Sequence, residues 1–279
     1  MDRWIGRVAL VTGASSGIGA AIAEILARSG LKVVGAARGV EHVQALSDSL
    51  KGSNGSLTPI KCDLTKEDDI RNMFATIKKH FGGVDICINN AGLSNGKKLL
   101  DSTVEELHQM SNVNIIALCL CSQLAIASMR ERGIDDGHVI NINSTVGHSL
   151  GFTSSRFYAA TKVAVKAITE GLRQEMREAK SHIRITSVSP GLVSTQFAYR
   201  ALKDENKAKQ LYSSIETLKP EDVASSVVHV IISPPHVENI KQLPYKLNVI
   251  NGHTYFEGKY CSRKYEVNQI DYDGFGVGK

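Results

Sequence analysis

The sequence predicts an α/β fold: a single domain in three layers, its parallel sheet of about seven strands covered by helices on both faces. Three observations predict it. Short β-branched or apolar runs alternate with longer segments of helical period, as in chained βαβ units. The short runs are apolar throughout, as strands covered on both sides must be. No linker rich in Pro, Gly or Ser divides the 279 residues, and no internal repeat is present.

Taken in order, "RVALVT" (7–12) is the first strand, and "TGASSGIG" leads from it into a helix over 17–29. "KVVGAA" (32–37) and "LTPIKC" (57–62) are the second and third strands. A helix over 67–80 follows. "VDICIN" (84–89) is the fourth strand, and a long apolar helix covers 103–132. "HVININ" (138–143), a helix over 157–179 and "IRITSVS" (183–189) complete the regular part. "SPPHVENIKQLP" reads as a loop and "YKLNVING" as a last strand. The main domain therefore spans 1–252, and 253–279 form a polar extension without clear period.

Composition excludes several classes. Hydrophobic residues make up 42%, charged residues 22%, and the net charge is only +5, so nothing sets the chain apart from ordinary globular proteins. Its Lys and Arg are scattered, which gives nucleic-acid binding little support. The five cysteines, Cys62, Cys87, Cys119, Cys121 and Cys261, form no CxxC pair. That argues against a disulfide framework or a zinc site, so no metal is expected; reduced, mostly buried thiols in a cytoplasmic protein fit better. "RVALVTGA" is too short and strand-like for a signal peptide. The apolar run "IIALCLC" falls short of the ~20 residues that span a bilayer, so no membrane span is expected.

Two segments carry the chemistry. In "TGASSGIG", glycines at 13, 17 and 19 let the backbone approach a pyrophosphate at a helix N-terminus, with Ser15, Ser16 and Ile18 on the same turn. A glycine triplet also arises for structural reasons alone, but its place after a strand and before a helix is the context such a motif requires. The fold is then Rossmann-type. The second strand ends "GAAR", with no acid for the ribose hydroxyls of NAD. Arg38, followed by Gly39, is either a solvated strand-end charge or a partner for a 2′-phosphate; the second reading predicts NADP(H) as cofactor.

"YAATK" places Tyr158 and Lys162 four residues apart on a helix, hence on one face. A free phenol has a pKa of about 10, too high for proton exchange near neutrality, and a neighbouring ammonium lowers it. Ser144, just past the fifth strand, can donate to a carbonyl oxygen that gains negative charge. An acid, a field that tunes it and a polarising donor are what hydride transfer to a carbonyl needs.

Together "TGASSGIG", "NNAG" (89–92), Asn114 in "NVN", Ser144 in "STVG", "YAATK" and "PGLVST" (190–195) resemble the short-chain dehydrogenase/reductase family, over roughly residues 4–244. Segments such as "CDLTKEDDI" and "VDICINNAGL" most resemble its NADPH-dependent keto reductases of the hydroxysteroid type and its insect farnesol dehydrogenases. The resemblance implies that Tyr158 is the acid/base, that Lys162 binds the nicotinamide ribose and lowers the phenol pKa, and that Ser144 orients the carbonyl. It implies that Asn114 sits at a helix kink and holds a relay water. Asp63 and Leu64 would lie against the adenine, and Asn90, Ala91 and Gly92 on the ribose side. Pro190, Gly191, Val193 and Thr195 would line the nicotinamide end, Thr195 contacting its carboxamide. "NNAG" is also readable as a tight strand end, and Asn114 as a helix-interior misfit.

Beyond Thr195, "QFAYRALKDENKAKQLYSSIETLKP" sets apolar anchors among charges. It reads as a mobile helical lid, with Phe152 and Phe197 walling a pocket for an extended apolar alcohol or ketone of steroid or isoprenoid type; an ordinary surface helix pair is the alternative. Other outcomes on the same scaffold are a sugar or enone substrate, or a nucleotide-binding sensor without chemistry. Apolar helices with small residues (Ala117, Ala125, Ala164, Ala167) suggest a homodimer or homotetramer, although internal packing explains the pattern almost as well.

Overall fold

The computed structural model describes residues 1–149, 155–214, 216–235 and 237. Phe152, the candidate seventh strand, Cys261 and the whole extension 253–279 lie outside the described residues. Six strands form one parallel sheet in the order β3-β2-β1-β4-β5-β6: β1 Val8–Thr12, β2 Lys32–Ala37, β3 Ser56–Lys61, β4 Ile86–Asn89, β5 His138–Ile142 and β6 Arg184–Val188. Strand order reverses between β1 and β4, and their carboxyl ends open a crevice of the kind where ligands bind in such sheets.

Alternation along the strands feeds two cores. On one face Ala9, Val11, Ile86 and Ile88 pack with Ile22 and Leu26 of α1 (Gly17–Arg28), Val43 of α2 (Val40–Ser49) and Val223 and Val227 of α9 (Pro220–Ile232). On the other, Val8, Leu10 and Cys87 meet Ile70 and Met73 of α3 (Glu67–Phe81), Cys121 and Met129 of α5 (Ala117–Glu131) and Met176 of α6 (Arg156–Glu178). Helices α2 and α9 are additions to the segments read from the sequence. α2 presents only Val43 as a fully buried side chain, which leaves a weak apolar period.

The predicted helix over 103–132 is a composite. α4 (Val104–Ser111) starts on a capping box in which Thr103 and Glu106 bond each other's backbone N–H. A π turn, Asn112–Ile116, joins it to α5. By length and composition the run Val104–Glu131 is apolar enough to cross a membrane, as the core helix of a globular protein can be. In this fold Ala117, Cys121, Ala125 and Met129 are buried against the sheet. Cys62, Cys87, Cys119 and Cys121 are free thiols, and burial pushes Cys62 and Cys87 up to about 12, out of reach as nucleophiles.

The amino ends of the strands are sealed. Arg3 and Arg184 donate to carbonyls at the end of α9, as does the Trp4 indole to Ile231. Arg7 stacks over Trp4 at 4.4 Å and grips Asp136 with both terminal nitrogens. His138 lies here fully buried, its Nε2 2.8 Å from Thr186 Oγ1 and its Nδ1 without a partner. Burial, then Arg184 and Arg3, hold its pKa well below the ordinary value. The unfolded chain takes up this proton below about pH 6.5 while the folded chain does not, so stability is lost as pH falls through that value. At pH 5.5 the expected loss is about 1.4 kcal/mol from this residue. Thermal unfolding of His138→Gln should therefore vary less between pH 7.5 and 5.5 than that of the wild type. Equal slopes would clear His138 of this role.

Candidate active site

The turn between β1 and α1 is built of backbone. Gly17 opens α1 with φ +56°, a left-handed conformation that a side chain resists. At Gly19 a Cβ would lie 2.3 Å from the Gly13 carbonyl oxygen and 2.5 Å from Asn90 Nδ2, so the turn closes on "NNAG" with no room for a methyl group. Such a turn fits a dinucleotide's pyrophosphate: main-chain N–H groups and the α1 dipole face the crevice. Ser15, Ser16 and Ile18 are half-buried along its rim.

Asn90 does something the sequence did not foretell. Its Nδ2 donates to the Thr12 carbonyl at 2.9 Å, and Thr12 Oγ1 accepts from the N–H groups of Asn90 and Ala91. Its amide therefore ties β4 to β1 beneath the turn, rather than pointing into the crevice. A Cβ on Gly92 would lie 3.6 Å from Asn114 Oδ1 and 3.8 Å from Lys162 Nζ, so "NNAG" runs on past the second half of the site.

At the end of β2, Arg38 is exposed and Ala37 is buried. Asp63, at the end of neighbouring β3, takes hydrogen bonds from the N–H and hydroxyl of Thr65. Burial works against its charge, but Thr65 and the positive charges of Arg38 and Lys66 prevail and lower its pKa. The edge where an adenosine ribose would lie thus holds one guanidinium and one engaged carboxylate. Gly39 caps α2, and Leu64 packs on the second core.

The other candidates meet across α6. Tyr158 is half-buried, and a hydrogen bond links its side chain with that of Ser144. Ser144 also accepts from the Val146 N–H at 3.4 Å, capping the short turn that follows β5. Lys162, 4% exposed, donates through Nζ to the Ile142 carbonyl at 2.8 Å, and Nζ lies 5.8 Å from the centroid of the Tyr158 ring. The expected lowering of the phenol pKa is not present in this state. Burial pushes Tyr158 up to about 12 against the pull of Ser144, and pushes Lys162 down to about 8. For the phenol, dehydration outweighs the hydrogen bond with Ser144.

Asn114 is 1% exposed and lies within the π turn. Its carboxamide is fully committed: Oδ1 accepts from the Leu93 N–H, and Nδ2 donates to the Leu93 carbonyl and to Thr161 Oγ1. It therefore stitches the loop after β4 to α6. The π turn shifts the helical bonding register by one residue, the Ala117 N–H donating to the Asn112 carbonyl.

Past β6, Pro190 and Val193 are buried and Gly191 is half-buried, with Val193 bridged to Leu218. Thr195 caps α7 (Gln196–Leu202), its Oγ1 accepting from the Phe197 N–H. Thr195 also sits on the phosphate turn, since a Cβ on Gly17 would lie 3.1 Å from its Cγ2. The expected lid is two short helices, α7 and α8 (Glu205–Ser214). Phe197 faces the site, its ring 5.6 Å from that of Tyr158.

Comparison with known proteins places the chain in a family. The profile described as short chain dehydrogenase matches residues 7–206. "Dehydrogenase/reductase SDR family member 11" of Homo sapiens is 52% identical over 242 residues, 85% of this chain and 93% of that protein. "Farnesol dehydrogenase" of Aedes aegypti is 44% identical over 241 residues, 85% of this chain and 95% of its own length. Among solved structures, the closed form of a serine dehydrogenase complexed with NADP+ superposes with a TM-score of 0.78 at 32% identity, over 85% of this chain and 93% of the other.

Proposed function

This chain belongs to the short-chain dehydrogenase family, and on that premise we propose that it is an NADPH-dependent oxidoreductase interconverting a ketone or aldehyde with an alcohol on an apolar, steroid- or isoprenoid-like substrate. One observation carries the reading: Tyr158, Ser144, Lys162 and the Asn114 turn converge at the carboxyl ends of β4 and β5, beside a backbone-lined phosphate turn. Bound there, NADPH supplies the hydride. Ser144 orients the substrate oxygen, and Tyr158, protonated at neutral pH with its pKa near 12, donates the proton to that oxygen. Lys162 would hold the nicotinamide ribose; Gly13, Gly17, Gly19, Arg38, Asp63, Gly92 and Thr195 would hold the rest of the cofactor.

Phe197 supports an apolar substrate, because a ring against the phenol excludes water from the reacting oxygen. The farnesol dehydrogenase relative, whose name implies an isoprenoid alcohol, points the same way. Following NADPH absorbance against a panel of steroid ketones, isoprenoid aldehydes, enones and sugars tests the reading; faster turnover of the sugars would overturn the substrate class. Assembly as a homodimer or homotetramer belongs to the same proposal, supported by Ile116 and Val163, 58% and 44% exposed on outer helix faces. Light scattering at micromolar concentration should give two or four chain masses, and a single-chain mass would refute it.

A further inference from the structure

Helix α7 touches the site in two places. Phe197 and Arg200, three residues apart, share one face of it. Phe197 lies against Tyr158, while Arg200 reaches the other end of the crevice and donates through Nη2 to Ser16 Oγ at 3.3 Å. Ser16 is the last residue before α1, and its hydroxyl does not cap its own helix. The base of α7 is fixed by Tyr212 of α8, whose hydroxyl donates to the Thr195 carbonyl and accepts from the N–H groups of Thr195 and Ala198. A guanidinium is therefore carried by the candidate lid to the rim of the phosphate turn.

From this juxtaposition we infer that Arg200 is a further cofactor-binding residue, a cation that closes over the dinucleotide's diphosphate and couples the position of α7 and α8 to its presence. The inference rests on the NADP(H) reading above. The turn offers main-chain N–H groups from one side only; an arginine from above offers several donors in one plane, enough for Ser16 and a phosphate oxygen together. Without the anion the Arg200–Ser16 bond joins exposed groups and contributes little. Helix α7 carries Arg200 to the turn and holds Phe197 against Tyr158 at once, so a cofactor that fixes Arg200 would also fix the apolar wall before substrate enters.

Arg38 and Arg200 make opposite predictions. Arg38 would read the 2′-phosphate, present only in NADPH; Arg200 would read the diphosphate, common to NADPH and NADH. The test is titration of the full chain with each dinucleotide, followed by nicotinamide fluorescence, with hydrogen exchange across residues 196–214. Arg200→Met should raise Kd for both dinucleotides by about tenfold, the lower end for a charge-assisted bond. Arg200→Lys should recover part of the loss. NADPH should slow exchange across 196–214 in the wild type and much less in Arg200→Met, while the melting temperature without cofactor stays unchanged. Native affinity of Arg200→Met for both dinucleotides, or a loss confined to NADPH, overturns the inference. A wild type that binds neither dinucleotide overturns the cofactor reading itself.

Discussion

Replacing Tyr158 by phenylalanine is expected to lower kcat by about 10²–10⁴-fold, the usual contribution of a positioned general acid, and to leave NADPH affinity near native. The substitution keeps the ring, and with it the packing against Phe197 at 5.6 Å. It removes the hydroxyl that bonds Ser144 and that would hand its proton to the substrate oxygen. An interaction made in the transition state alone appears in kcat rather than in binding. The pH dependence carries the same signature. With the phenol near 12 in the ligand-free protein, the proton donor is loaded throughout the neutral range, so ketone reduction should vary little between pH 6 and 8. Alcohol oxidation needs the proton removed and should rise with pH. Lys162, near 8, keeps its charge below that pH and loses it above. A phenylalanine variant retaining more than about a tenth of wild-type kcat would remove Tyr158 from proton transfer, since that loss is below the range for general acids.

The parts of the site that were legible in sequence are those encoded locally. β2 was read as 32–37, its observed span, because an apolar run between the charges of Lys32 and Arg38 admits little else. The glycine turn and "YAATK" were legible because spacing along a strand–turn–helix or one helical turn already sets the geometry. What escaped depends on partners distant in sequence. Arg200 and Ser16 are 184 residues apart, and nothing in "QFAYRAL" says which way α7 faces. The bonds that tie the Asn114 carboxamide to Leu93 and Thr161 span 21 and 47 residues and were hidden as well. Lys162 could be placed beside Tyr158 from spacing, but the sign of the phenol shift turned on burial, which spacing does not encode. The capping of α9 by Arg3 and Arg184 was equally hidden, because one cation comes from the N-terminus and the other from β6.

The double variant Ala37→Asp with Arg38→Ala is expected to invert the cofactor preference. In the wild type the edge past β2 offers a 2′-phosphate one exposed guanidinium, and Ala37 gives the 2′-hydroxyl of NAD no acceptor. A charge-assisted hydrogen bond of about 1.5–3 kcal/mol corresponds to roughly 10- to 150-fold in affinity, so NADPH should be preferred by about that factor. Arg38 also screens Asp63, whose carboxylate keeps its negative charge through Thr65 and the neighbouring cations. Removing Arg38 therefore takes away the phosphate's partner and leaves the Asp63 carboxylate with one neutralising cation fewer. Two effects of one sign place the loss of NADPH affinity toward the upper end of that range. Because Arg38 is exposed, the wild-type preference should shrink as ionic strength rises. Ala37 is 7% exposed and packs in the first core, so the aspartate will cost stability. Arg38→Ala alone is the control, since it should lose NADPH affinity without that cost. The measured quantity is the ratio of kcat/KM for NADPH over NADH. A ratio near one in the wild type, or one that neither variant moves, would leave Arg38 a solvated charge at a strand end.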